Sequence, residues 1–234
     1  MKKYFFPGLV LGIGVILAVG LFQGNSLLGN YWPLLSAVLL CLALMAFFCR
    51  FEGSSTSAKD VAVIATMASL AAIARVPFAI IPGFQPTTFM VMITGYVFGA
   101  QTGFLTGAIA ALVSNLFLGQ GPWTPWQMFC WGLTGVSAAV LAHGKEQMHL
   151  GAFTVLGGLW GYLFGWIMNI WHWVGFVYPL NLQTFIATYI ASFAFDTLHA
   201  VANVIFALLL GKTFYQILLR FKNKLTVTYS NQAG

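Results

Sequence analysis

Apolar runs of roughly 20 residues, each closed by a short polar or glycine- and proline-rich break, repeat along the whole chain. A helix needs about 20 mostly apolar residues to cross a hydrocarbon layer. On that spacing the runs predict spans near residues 5–23, 32–49, 58–75, 87–100, 102–118, 126–143, 151–174 and 184–211, eight in all. The 87–100 run is short, and Gly99-Ala-Gln-Thr-Gly103 leaves little loop behind it, so a broken or tilted helix is expected there. Lys2 and Lys3 ahead of an apolar run have the look of a signal peptide. That run is long for a signal core and a second span follows at once, so it is read as a retained helix. The long polar linker, FEGSSTSAKD, sets off two spans in residues 1–50 and a linker at 51–57 from six spans in 58–212 and a tail at 213–234. Within that tail, Lys212 to Lys224 carries Phe214, Ile217, Leu218 and Phe221 between its charges and reads as an interfacial helix.

Composition turns this pattern into a class. The 234 residues are 60% hydrophobic and 6% charged, with a mean hydropathy of +0.88. A soluble domain carries about 25% charged residues, so the chain is expected to be an all-α integral membrane protein. Its net charge of +6 would suggest nucleic acid in a soluble protein. Here the basic residues flank the spans instead. With the N-terminus inside, Lys2, Lys3, Arg50, Lys59, Lys145, Lys212, Arg220, Lys222 and Lys224 fall on the inner side and only Arg75 on the outer. The positive-inside rule then places both termini in the cytoplasm. Cys41, Cys49 and Cys130 form an odd set without C-x-x-C spacing, which predicts buried free thiols rather than disulfides or a metal site.

Glycines recur every fourth residue at Gly95, Gly99, Gly103 and Gly107, and again at Gly157, Gly161 and Gly165. Small residues so spaced let membrane helices approach closely, a packing signal without functional weight. Chemistry is sought instead in polar groups within spans, which hydrocarbon penalises. Asp196, His199 and Asn203 share one face of the last span, and Asn169, His172 and Trp173 lie together near the end of the one before it. Asn115 and Asn203 read as helix-packing amides. Asp196 and His199 could pair with each other, or with Asn169, to hold helices together, or they could serve a ligand.

The two breaks inside Arg75–Gly135, VPFAIIPGFQP and GQGPWTPWQ, are too polar for lipid and too aromatic for ordinary loops. Prolines fix the backbone of the second, so its rings are aimed in advance. The candidate ligand contacts are therefore Arg75, Phe84, Gln85, Thr87, Trp123, Trp126, Gln127, Trp131, Asn169, His172, Trp173, Asp196 and His199. Three roles stay open for Arg75: a snorkelling anchor, a counter-ion for Asp196, or a donor to a ligand phosphate or amide. No G-x-S-x-G, H-E-x-x-H or Walker motif occurs, so the sequence points away from an enzyme and from ATP hydrolysis by this chain. Neither a cofactor of its own, a metal site nor a nucleic-acid partner is expected. The remaining readings are a stand-alone carrier with Asp196 and His199 as a proton relay, and a membrane enzyme using the same pair on a lipid.

The segment from Ala58 to Lys212 resembles the substrate-binding S components of energy-coupling factor (ECF) vitamin transporters. Within that group it is most similar to the cobalamin-type S components, through F-Q-P-T-T-F at 84–89 and G-P-W-T-P-W-Q-M at 121–128. The resemblance implies a six-helix S-component core preceded by two extra helices, in a bacterial plasma membrane. It implies a vitamin ligand, with a corrinoid as substrate, and a transmembrane coupling subunit with two cytoplasmic ATPases as partners. Delivery would occur by toppling of the subunit in the bilayer. It further implies that small residues four apart on the first core helix meet the coupling subunit; Ala58/Ala62, Ala65/Ser69 and Ala68/Ala72 all fit.

Overall fold

The structure, a computed structural model, describes residues 32–52, 57–145 and 147–226. These form seven helices: α1 (Trp32–Glu52), α2 (Ala58–Phe78), α3 (Thr87–Phe98), α4 (Ala100–Leu118), α5 (Thr124–Ala142), α6 (Leu150–Phe176) and α7 (Leu182–Thr226). No strand occurs among the described residues. The expected span at 5–23 lies outside them. Four helices, α2, α4, α6 and α7, are long and apolar enough to cross a membrane.

The distribution of side chains is that of a bundle in lipid. Leu112, Leu116 and Phe117 of α4, Val155 and Leu159 of α6, and Ile190 and Phe193 of α7 all face outwards. Arg75, Ser114, Asn115, Asp196, His199 and Asn203 face inwards. In water such large apolar surfaces would mark a contact region; in hydrocarbon they are the ordinary exterior. The chain is a multi-pass membrane protein.

Local sequence explains where the helices begin and turn. Ser57 caps α2 through a capping box: its Oγ accepts from the Asp60 amide at 3.2 Å, and Asp60 Oδ2 accepts from the Ser57 amide at 3.0 Å. Pro86 precedes α3, and Pro125 sits in the first turn of α5, where its missing N–H costs nothing. Between α3 and α4 there is no loop at all. Gly99 makes the turn alone at φ 100°, a conformation that glycine tolerates and other residues rarely adopt. Its N–H bonds Gly95 O, and its carbonyl accepts from Gly103 N, so both of its own backbone groups are satisfied.

Gly99 is thus a turn residue rather than a rung of the glycine ladder. The other three do pack. A Cβ on Gly103 would stand 2.6 Å from Gly95 Cα, and one on Gly95 would collide with Gly135 of α5. Gly107 approaches the Trp131 and Gly132 backbone just as closely, and Gly161 lies against Ala200 of α7.

Two expectations are corrected here. Residues 212–224 do not form a separate interfacial helix; α7 runs unbroken for 45 residues. No proline interrupts it, and Phe214, Tyr215 and Leu218 pack against the core beside α3, while Ile217 and Phe221 remain exposed. The thiols also divide: Cys130 is buried, but Cys41 is exposed on the outward face of α1. The short 87–100 span becomes the 12-residue α3, about 18 Å long. It is buried almost along its whole length.

Ties at the ends fix the order of the bundle. Lys59 Nζ donates to Leu225 O at 2.6 Å, Lys222 Nζ to Val97 O at 2.6 Å, and His149 N to Tyr96 Oη at 3.2 Å. These gather the starts of α2 and α6 with the ends of α3 and α7. The end of α2, the starts of α3 and α5 and the end of α4 meet at the opposite pole, where Arg75 lies.

Candidate functional site

Arg75 sits in the last turn of α2 and is 8% exposed. Its Nε donates to Gln85 Oε1 at 3.0 Å, and its Nη1 to Ser114 Oγ at 2.7 Å and Asn115 Oδ1 at 2.6 Å. The guanidinium carbon lies 4.8 Å from the centre of a Trp131 ring, in reach of a cation–π contact. A snorkelling anchor would turn towards water, and a counter-ion would touch Asp196; Arg75 does neither. Its partners among the described residues are neutral.

Asn115 extends this network. Its Nδ2 donates to Thr124 Oγ1 at 3.0 Å and Gln127 Oε1 at 2.7 Å. The two breaks therefore share one hydrogen-bonded cluster, with Gln85 from the first and Thr124 and Gln127 from the second. On the far side of its ring, Trp131 donates from Nε1 to Thr88 Oγ1 at 3.0 Å, and Thr88 Oγ1 lies 2.8 Å from His199 Nε2. Phe164 packs edge-on to His199 and near Trp131, with ring centres 5.4 and 4.8 Å away. One continuous polar seam thus runs from α2 through α5 and α3 to α7.

A second polar group lies between α6 and α7. Asn169 Nδ2 donates to Ser192 Oγ at 2.6 Å, and Ser192 Oγ is 3.0 Å from Asp196 Oδ2. Gly165 of α6 makes room for the Asp196 carboxylate, which occupies the place a Cβ would need. Asn169, His172, Thr184, Thr188 and Ser192 line an open cavity of about 510 Å³ here. Trp173 supports its rim by donating from Nε1 to Thr184 Oγ1 at 3.0 Å. Asp196 and His199, although one turn apart on the same helix, have separate partners. Asn203 bonds the Gly157 carbonyl at 3.0 Å, the packing role expected for it.

The remaining candidates scatter. Phe84 packs at a tilt against Phe78 and Phe206, ring centres 6.1 and 5.4 Å away. Thr87 is fully buried, 3.4 Å from Ala71 O. Trp123 is exposed and covers Gly121. Trp126 turns towards α1, where it packs with Leu40 and Trp171 and donates to Ser36 Oγ at 3.3 Å. On α2, Ala58, Ala62, Ala65 and Ser69 are exposed, but Ala68 and Ala72 are buried in the core. Of the three small-residue pairs, Ala68/Ala72 has no free surface to offer.

Thr88, Ser114, Thr124 and Ser192 were not singled out in the sequence. Ser114 sits next to Asn115, which reads as a packing amide in the sequence, and Ser192 one turn from the candidate Asp196; that spacing was the available signal.

Residues 55–220 match the sequence model of a family described as the S component of the ECF-type riboflavin transporter. The chain belongs to this family. The matched residues take in α2 to α6 and most of α7, with both breaks and both polar groups; α1 lies outside them. Similar proteins include a UPF0397 protein of Aliivibrio salmonicida (strain LFI1238), 33% identical over 105 residues. Another, of Vibrio atlanticus (strain LGP32), is 39% identical over 105 residues. Each alignment covers 43% of this chain and 50% of the relative, so the chain spans about half the length of the curated relatives it matches. No solved structure matches. For an S component, the description names riboflavin where the motif runs suggested cobalamin.

Proposed function

We propose that the protein is the ligand-capture subunit of an ATP-driven ECF importer in a bacterial plasma membrane, with both termini cytoplasmic. The observation that carries this reading is the family match across residues 55–220, which holds the whole Arg75 network. The ligand is a vitamin, bound at the pole where the two breaks meet. Cobalamin or a related corrinoid is the first ligand to test, on the F-Q-P-T-T-F and G-P-W-T-P-W-Q-M runs. Its amide rim would suit Gln85 and Gln127. Riboflavin is the second reading, favoured by the family description.

A coupling subunit and two ATPases would complete the importer. The exposed stripe Ala58, Ala62, Ala65 and Ser69 is the surface offered to the coupling subunit. The stand-alone carrier finds less support, because Asp196 and His199 bond separate partners rather than forming a relay. Isothermal titration of the detergent-solubilised chain should show saturable binding of cobalamin or riboflavin by this chain alone. Absence of binding to these and to thiamine, biotin and folate would overturn the proposal. Uptake into proteoliposomes lacking ATPase partners would favour the carrier instead.

A further inference from the structure

We infer that Arg75 is an anion receptor: the ligand presents a phosphate or carboxylate that completes the charge of its guanidinium. This deepens the capture reading and rests on it for the identity of the ligand.

The chain has four acidic residues, Glu52, Asp60, Glu146 and Asp196. Asp60 closes the capping box at the other end of α2. Glu52 is the last residue of α1, and Glu146 follows α5 in the sequence; neither side chain is among the described ones. Asp196 is held by Ser192 on the α6 side of α7. Among the described residues, no carboxylate is therefore at hand for a cation that is 8% exposed. Buried charges in proteins are ordinarily paired, since desolvation is otherwise uncompensated. Here a full positive charge meets two amide oxygens, one hydroxyl and an aromatic face.

The geometry also leaves a way in. The hydrogen bonds use Nε and Nη1; Nη2 takes part in none of them. Gln85, which covers Nε, is only half-buried and comes from the link between α2 and α3. A ligand oxygen can replace its amide oxygen without disturbing Ser114 or Asn115. The exposed edge of a guanidinium then offers parallel donors, the arrangement suited to carboxylate and phosphate.

The experiment uses the full chain in detergent and ligand pairs that differ by an anionic group. They are flavin mononucleotide against riboflavin, cobalamin against cobinamide (which lacks the nucleotide phosphate), and biotin against its amide. In whichever pair binds, the anionic member should bind about tenfold tighter or more. Arg75→Met should erase the difference, and Arg75→Lys should keep part of it. Asn115→Asp, which supplies the missing carboxylate while keeping Arg75, should erase it too. In parallel, inorganic phosphate should raise the melting temperature above that in chloride at equal ionic strength, in the wild type but not in Asn115→Asp.

Equal affinities within a binding pair, or an advantage that survives in both Arg75→Met and Asn115→Asp, would overturn the inference. Vitamin binding without phosphate stabilisation would leave capture standing and remove the anion receptor. Phosphate stabilisation lost in Asn115→Asp, with no vitamin bound, would do the reverse.

Discussion

Asn115 uses its whole amide. The oxygen accepts from Arg75, and the nitrogen donates to Thr124 and Gln127, so one side chain joins α2, α4 and α5. Replacing it with leucine would leave three polar groups short of a partner in a buried setting. A hydrogen bond to a charged group contributes about 1.5–3 kcal/mol, and orphaned partners add to the loss. Asn115→Leu is therefore expected to destabilise the protein by about 3 kcal/mol, read from denaturant unfolding in detergent. A change under about 1 kcal/mol would mean the network is not the joint described here. Arg75 was legible in the sequence because it is an isolated cation on the side otherwise empty of charge. Thr88, Ser114 and Ser192 were not. A hydroxyl in a helix can satisfy a carbonyl of its own preceding turn, as Ser114 does with Ala111 O at 3.2 Å. Only tertiary packing decides whether it also faces another helix.

At the scale of the helices, the glycines separate into those that touch a neighbour and those that do not. Gly95, Gly103 and Gly135 meet backbone to backbone, leaving no side chain that could swing aside. Gly135→Ala is expected to cost about 3 kcal/mol or more, as overpacking of a rigid contact does. Gly151→Ala, with nothing within 4 Å, should be neutral or stabilise by about 0.5–1 kcal/mol. Melting curves of the two variants compare them directly, and equal behaviour would contradict the packing. The four-residue spacing showed that close approach occurs somewhere. It could not show that Gly99 is the turn, because a helix break and a helix contact ask for the same residue. Among the described residues, and apart from the end of α7, the helix boundaries were legible to within a few residues because hydropathy sets them. The continuity of α7 was not, since charges at Lys212 and Arg220 resemble the end of a span whether or not the helix stops.

For the whole molecule, the inward face of α2 and its outward stripe have opposite requirements. Ala68 and Ala72 are 0% and 1% exposed, so Ala68→Leu should impair folding itself and lower the yield of purified protein. Ala62→Leu adds bulk to an exposed position, and the isolated chain should keep its stability and ligand affinity. If the stripe is the docking surface, the same variant should lose uptake in cells holding the complete importer. Full uptake by Ala62→Leu would move the docking surface elsewhere on the bundle. The all-helical character and the membrane setting were open to a reading of hydropathy. The grouping of candidate residues into two separate polar sets was not. Residues one turn apart on α7, Asp196 and His199, diverge because α3 stands against one and α6 against the other.

The unbroken course of α7 makes the protein sensitive to phase. His199 meets Thr88, Asn203 meets Gly157 and Lys222 meets Val97, all from one helix without a joint. Each added residue rotates everything beyond it by about 100°. A single alanine inserted between Ala207 and Lys212 should therefore swing Tyr215, Leu218 and Lys222 off their partners while leaving the site above untouched. Seven inserted residues return within about 20° of register, although displaced along the axis, and should restore part of the lost stability. In this sense the helix acts as a vernier, in which the angular setting at one pole fixes which side chains can engage at the other.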